Sequence, residues 1–494
     1  MLRKRIFLNT AVNSGGKFLS FAFQIFIITY LIKTLGKDAY GMVVLALALV
    51  ANTNLLEAGF GLSVTKYVAE YKAKGDMERL LRIVNTNLVV STVLGLILCV
   101  ILLVINEFFL ERIFTVPADL LSGMRNLIRV LIPLSILEFW SVSLIRVAEG
   151  FQRYTLARGM ELIKWFLRAA FVPVSVSMGY GILGVGVAYF AAGLISLGIV
   201  YIKVILLDPE LRLALSLSDR ESFSKLFSFS IWIFFSKIFA FLSYRIDTIL
   251  IGIFLPPANL TYYNVAFKVY EFFTYGITLI SSTLVPMASE LEAAGDRRRL
   301  SMLFERATRY TVLCISPFIV IAMAQMPGIM HLWMGTGFEL SVLLARLFLA
   351  ALIPIMLITS GAAMMVGMNR VKELVKYNAA ATAVNFALSV YLVSRIGAPG
   401  VVIGTVTGFF VILVSYVFVM IGIFGIPFAA YIRGIVIKPL AALAVMVALV
   451  FFLPGITGVL TGFAVYSAFT VFIVVDRDDL KGLIMSVKSL FFQH

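Results

Sequence analysis

Of the 494 residues, 61% are hydrophobic and 14% charged, and the mean hydropathy is +1.02. No soluble domain of ordinary composition looks like this, so the chain is expected to be a polytopic, all-α membrane protein. The net charge of +15 does not point to nucleic acid, because Lys and Arg fall in short clusters between apolar runs and not on one soluble face.

The chain begins with basic Met1–Arg5 and an apolar segment past Ala22 that carries no small-residue cleavage site, and it reads as a first retained helix. Apolar runs of about 18 to 25 residues predict fourteen membrane helices. They are centred near residues 21, 51, 94, 135, 170, 194, 241, 274, 318, 353, 384, 411, 445 and 466. Segments 1–9, 64–82, 146–168, 207–225, 289–309, 367–377, 425–438 and 476–494 hold 29 of the 41 Lys and Arg, whereas the alternate loops hold Lys33, Lys37, Arg112 and Arg395. By the positive-inside rule both termini are predicted cytoplasmic, in a cell (plasma) membrane. No loop is long enough for a soluble catalytic domain.

A repeat organises the chain. AEYKAKGDMERLL from Ala69 returns as SELEAAGDRRRLS from Ser289, GFQR at Gly150 as GMNR at Gly367, and GILG at Gly181 as GAPG at Gly397, all in nearly one register. Six helices separate equivalent positions, so the reading is two six-helix lobes, 1–207 and 208–424, related by an axis along the membrane normal. Residues 425–494 add two helices and a tail. The register sets Lys17 on Lys237 and Gln24 on Tyr244. Prolines 133, 173, 286, 317 and 354 fall in or at the ends of predicted helices, where they permit kinks.

Enzyme signatures are missing: there is no phosphate-cradling Gly-rich loop with Lys and Ser/Thr, no zinc-ligand pair, and just two histidines, His331 and His494. Cys99 and Cys314 lie in apolar runs and read as packing. No cofactor, metal or catalytic residue is expected. The informative residues are charges inside membrane-length runs. In Phe227–Leu255, Lys237, Arg245 and Asp247 interrupt a stretch that exceeds a hydrocarbon core of roughly 30 Å, and a central Arg or Asp costs about 2.5 to 3.5 kcal/mol unless it faces water or a partner. Lys17, Arg125, Arg129, Lys268 and Arg346 complete a set of in-span cations suited to an anionic headgroup. Arg125 and Arg129, four apart, share a helix face. Gln24, Tyr244 and Tyr270 are candidates for sugar contacts. Asp247, Glu138 and Glu271 are candidates for ion coupling; the competing reading is structural, with Glu271 paired to Lys268 and the other two serving as counter-ions to an Arg on another helix.

Several blocks in order resemble the polysaccharide-transport branch of the multidrug/oligosaccharidyl-lipid/polysaccharide exporter superfamily. They are LGKDAYG at Leu35–Gly41, EAGFGLSVTKYVAE at Glu57–Glu70, GFQRYTLARGMELI from Gly150, RIDTILIGIF from Arg245, VPMASELEAAGD from Val285 and GMNRVKELVKYNAAATAVNFALSVYLV from Gly367. The resemblance spans most of residues 1–424. It implies a flippase for an oligosaccharide on a polyprenyl phosphate or pyrophosphate carrier, working by alternating access with the polar head between the lobes and the tail in membrane lipid. Coupling to H⁺, Na⁺ or membrane potential stays open. The first helix carries Lys17 and no acid, unlike the drug-exporting branch, so a cation-coupled exporter of organic solutes is the alternative and not the first expectation. A membrane glycan polymerase would want a substantial outer loop, and a purely structural membrane partner fits poorly with charges inside helices.

Overall fold

The computed structural model of the chain describes residues 2–50, 53–370, 372–453 and 455–471, with side chains except at 2–14, 53–60, 215, 229, 232–245 and 456. Among these residues every regular element is helical. In chain order they are α1 (Leu2–Leu35), α2 (Lys37–Val50), α3 (Thr53–Lys74), α4 (Met77–Val104), α5 (Leu110–Ile113), α6 (Ala118–Gly150), α7 (Tyr154–Ser175), α8 (Gly181–Ile205) and α9 (Arg220–Phe254). They continue with α10 (Ala258–Ser282), α11 (Leu284–Ala293), α12 (Arg297–Met334), α13 (Glu339–Gly367), α14 (Lys372–Ile396), α15 (Ala398–Phe424), α16 (Phe428–Tyr431), α17 (Lys438–Phe452) and α18 (Gly455–Phe469).

Ten stretches among the described residues are long and apolar enough to cross a membrane, and the chain is a multi-pass membrane protein. Thirteen of the fourteen expected centres lie inside a helix; residue 51 falls outside the described residues, between α2 and α3. One apolar stretch, 154–205, is two helices, because Gly179 and Gly181 take φ of +89° and +52°, a region open to glycine and closed to most side chains.

The chain divides into two compact units, Met1–Val265 with Leu388–Val401, and Ala266–Ala387 with Val402–His494. In the first, α6 is the axis. Gly186 and Gly193 of α8, seven apart, face Leu127 and Leu134 of α6, also seven apart, and Gly95 of α4 faces Ile136 and Phe139. Glycines in register with large apolar side chains let two membrane helices close up where lipid supplies no hydrophobic drive. At the far end of α6, Gly150 meets Val68 and the Thr65 carbonyl of α3.

Both ends of α9 are tied into this unit. Asn85 of α4 donates to the Arg212 carbonyl (2.9 Å) and accepts from the Ala214 amide (2.7 Å), while Thr86 accepts from the Asp219 amide (3.1 Å). Asp219 then caps α9 by accepting from the Ser222 amide (2.6 Å) and pairs with Arg82 (3.0 Å). Burial opposes ionisation of Asp219, yet the bonds from Ser222 and Arg82 prevail and hold its carboxyl below the usual aspartate range. At the opposite end, the Thr115 amide donates to the Gly252 carbonyl (2.9 Å), and Tyr40 of α2 donates to Asn264 of α10 (2.9 Å).

In the second unit α12 is the spine. Leu313 and Val320 of α12 form a core with Ala442, Met446 and Val450 of α17 and Tyr466 of α18, whose hydroxyl donates to the Leu313 carbonyl (2.8 Å). Phe304 of α12 stacks on Phe424 (4.5 Å between centroids) and sits against Gly361 of α13.

The sequence repeat has a backbone counterpart. Gly75 and Gly295 take φ of +69° and +68°, and the following Asp76 and Asp296 each accept from the amide three residues on, Arg79 or Arg299, at 3.0 Å. After α6 and α13, Gln152 and Asn369 take the same left-handed conformation, at +59° and +58°.

Candidate functional site

The polar residues of α7 fall at Arg158, Glu161, Lys164, Trp165 and Arg168, a spacing of three and four that collects them on one face. Lys164 and Arg168 lie ten and fourteen residues into a helix that starts at Tyr154, about 15 and 21 Å along its axis at about 1.5 Å per residue. The positive-inside count groups both with the basic residues of segment 146–168, near the loop end of the helix predicted around residue 170; the structure places them well inside α7, whose polar face lowers the hydropathy of its first half.

What stabilises these cations comes from α6. Lys164 Nζ donates to Glu138 Oε2 at 2.7 Å, and Arg168 Nη2 donates to Glu138 Oε1 at 2.6 Å. The side chains of Lys164, Glu138 and Arg168 are 14%, 15% and 9% exposed. The guanidinium of Arg168 lies over the rings of Tyr189 of α8 (4.3 Å) and Trp165 (5.1 Å). One carboxylate thus serves two cations, the cluster carries one net positive charge, and among the described residues the Arg168 Nε–H is buried with no acceptor. Charges so placed in a membrane-spanning bundle are expensive and mark function more often than stability.

α1 runs along α7. Gly16 sits against Leu162, Phe23 packs edge-on to Phe166 (5.9 Å), and Tyr30 donates to the Pro173 carbonyl (3.1 Å). Contacts at 16, 23 and 30 trace one stripe, which leaves Lys17 exposed beside it and Gln24 half-buried.

The other expected residues are distributed as follows. Arg125 pairs with Glu111 (2.5 Å), and Arg129 pairs with Glu107 through two bonds of 2.8 Å and donates to Asn126 (3.2 Å). The anions that relieve repulsion between these two arginines therefore come from the chain just before α6, and Glu138 lies nine residues beyond Arg129, about 14 Å along the helix. Asp247 is fully buried and accepts from Tyr263 at 3.1 Å. In the second unit Lys268 pairs with Glu271 (2.5 Å), which also accepts from Tyr275 (3.3 Å). Tyr270 is buried between the rings of Phe267 and Phe348 (5.5 and 5.3 Å), and Arg346 donates to the Met323 carbonyl (2.9 Å). The side chains of Lys237, Tyr244 and Arg245 lie outside the described residues, although α9 is helical through them. Among the described residues no group of three His, Cys, Asp or Glu could hold a metal ion.

No curated protein matches the sequence. Among solved structures, the lipid II flippase MurJ in an inward-closed conformation superposes with a TM-score of 0.74 at 14% identity, over 93% of this chain and 98% of its own. An inward-facing multidrug resistance transporter of the MATE family gives 0.71 at 15% identity, over 82% and 94%. A MOP-superfamily transporter from Pyrococcus furiosus, described by the reversed polarity of its binding pocket, gives 0.63 at 15% identity, over 84% and 95%. At such identities the likeness establishes the fold, that of MOP-superfamily transporters. The sequence model of one family matches residues 6–292, more than half of the chain, and on that match the chain belongs to the polysaccharide biosynthesis protein family.

Proposed function

We propose that the protein is a flippase that moves an oligosaccharide on a polyprenyl phosphate or pyrophosphate carrier from the cytoplasmic to the outer leaflet of a cell membrane, by alternating access and without catalysis. Both termini are cytoplasmic in this reading. The observation that carries it is the pair Lys164 and Arg168, two cations inside a membrane-length helix with one carboxylate between them. A net positive site in a bilayer suits a phosphorylated headgroup and repels the organic cations that a drug exporter would favour. The same reading assigns headgroup contacts to Lys17, Lys237 and Arg245 and sugar contacts to Gln24 and Tyr244. It is supported by membership of a polysaccharide biosynthesis family and by the fold shared with a lipid II flippase.

The test is reconstitution into vesicles with a fluorescent polyprenyl-diphosphoglycan in one leaflet. Loss of fluorescence to an impermeant quencher is expected to follow the protein and to fail in Lys164→Ala with Arg168→Ala. A purified protein that ignores the glycolipid yet expels an organic cation down a pH or Na⁺ gradient would reverse the reading.

A further inference from the structure

Glu138 invites a second question, because its carboxylate occupies the same two cations that a phosphate would use. Each of its oxygens takes one bond, from Lys164 and from Arg168, so neither cation is engaged to capacity. The guanidinium offers a fork matched to two oxygens and here uses one arm on Glu138, with Nε–H buried and unbonded. We infer that Glu138 is a displaceable counter-anion: its carboxylate and a substrate phosphate compete for Lys164 and Arg168, and the displaced carboxylate takes up one proton. The inference rests on the flippase reading above and adds to it an ion and a residue.

The physics of the exchange follows from the surroundings. A phosphate brings three acceptor oxygens and at least one negative charge, enough to bridge Lys164 and both arms of Arg168. Glu138 is then left on α6 without its cations. Among the described residues, the groups that face it are Lys164 and Arg168 of α7 and the Tyr189 phenol of α8; α4 brings Thr92 and Cys99 to this part of α6, α2 brings Tyr40 near Tyr189, and α3 brings Thr65 further along, all four uncharged, while the side chain of Glu57 in α3 lies outside the described residues. An ionised carboxylate in such company is disfavoured and accepts a proton from water. When the phosphate leaves, Glu138 returns the proton and reclaims the cations. No bond other than O–H forms or breaks, and the proton starts and ends in solution. Because a proton is gained on binding, lower pH at the site tightens the hold on the headgroup and higher pH loosens it.

The experiment is binding of farnesyl diphosphate to the purified full chain in detergent at pH 8, where that probe is fully ionised, by calorimetry in buffers of different ionisation enthalpy. The wild type is expected to take up about one proton per probe bound, as linkage requires when a group gains a proton on binding. Glu138→Gln is expected to take up none and to bind more tightly, by roughly tenfold or more, since a competitor worth at least about 1.4 kcal/mol has gone. Binding by the wild type without proton uptake overturns the inference and leaves the flippase reading standing. No binding by the wild type overturns both. Weaker binding by Glu138→Gln would show that the carboxylate only positions the cations. The proton count on the wild type needs no variant, so a Glu138→Gln protein that fails to fold does not spare the inference.

Discussion

The helices α6 to α8 and α13 to α15 start from the same turns and end with different interiors. Carrying the register that sets Gly150 on Gly367 through these helices places Glu138 on Ile355, Lys164 on Ala381 and Arg168 on Asn385. All three counterparts are buried, and Asn385 spends its amide oxygen on Thr405 (3.3 Å). The second set thus buries an alkyl group, a methyl and a neutral amide at the positions where the first holds three charges. The ion cluster is therefore not something this architecture requires. A buried ion pair replaced by apolar groups of similar volume is often neutral or stabilising, so its presence in one set alone argues for use.

The sharpest way to break that comparison is to move the second interior into the first. Glu138→Ile alone strands two cations and is expected to cost about 3 to 5 kcal/mol, the usual penalty for removing one partner of a buried pair. Adding Lys164→Ala and Arg168→Asn should recover most of that loss, because nothing is then left uncompensated, while transport stays abolished. Thermal unfolding in detergent beside the vesicle assay reads both. A triple variant no more stable than the single one would show that the charges are built into the fold after all.

A smaller effect separates the two matched glycines. A methyl added at Gly367 would run into the Val285 carbonyl oxygen of α11, whereas at Gly150 it would meet Cγ1 and Cβ of Val68 at 2.6 and 2.7 Å, with the nearest backbone atom, the Thr65 carbonyl oxygen, at 3.2 Å. Side chains yield more readily than backbone. Gly367→Ala is accordingly expected to fall at the upper end of the roughly 1 to 3 kcal/mol range for overpacking and Gly150→Ala at the lower end. Equal losses would mean that the two helix ends pack alike and differ only in the interior.

Much of this was readable before any coordinates. Apolar run length locates the helices because a bilayer leaves backbone groups no other partner, and the Gly-Asp turns announce the repeat because only a few residues tolerate positive φ. Individual charges were harder. Glu138 stood out as an acid within an apolar run, and the structural alternative, a counter-ion to an Arg on another helix, describes its contacts with Arg168 and Lys164. Those two partners were hidden, since a helix with one polar face has the average hydropathy of a loop; a search for charges at three- and four-residue spacing from Arg158 would have exposed them. Arg125 and Arg129 were visible as cations, whereas Glu107 and Glu111, which neutralise them, lie within and just after a π-helical turn at 105–109 that sequence periodicity does not reveal.

The smallest effect concerns the turns themselves. Asp76 and Asp296 cap α4 and α12 with the same bond, 3.0 Å to the amide three residues on, and with similar side-chain exposure, 31% and 33%. Removing either cap with Ala should cost about 1 kcal/mol. The first turns differ, however: α4 opens Met77-Glu78-Arg79, while α12 opens with Arg297, Arg298 and Arg299. Three cations at a helix N-terminus oppose its dipole; Asp296 offsets them from the cap position and Glu292, paired with Arg297 at 3.5 Å, from the preceding helix, whereas in α4 Glu78 remains in the first turn itself when Asp76 is gone. Asp296→Ala should therefore cost more than Asp76→Ala by about 0.3 to 1 kcal/mol at low ionic strength. High salt should erase the difference and leave the common part, because the cap is a short hydrogen bond and the excess is an exposed charge interaction that counter-ions screen. A difference that persists at high salt would place its origin in packing around α12 instead of charge, and the two turns would then be alike in backbone alone.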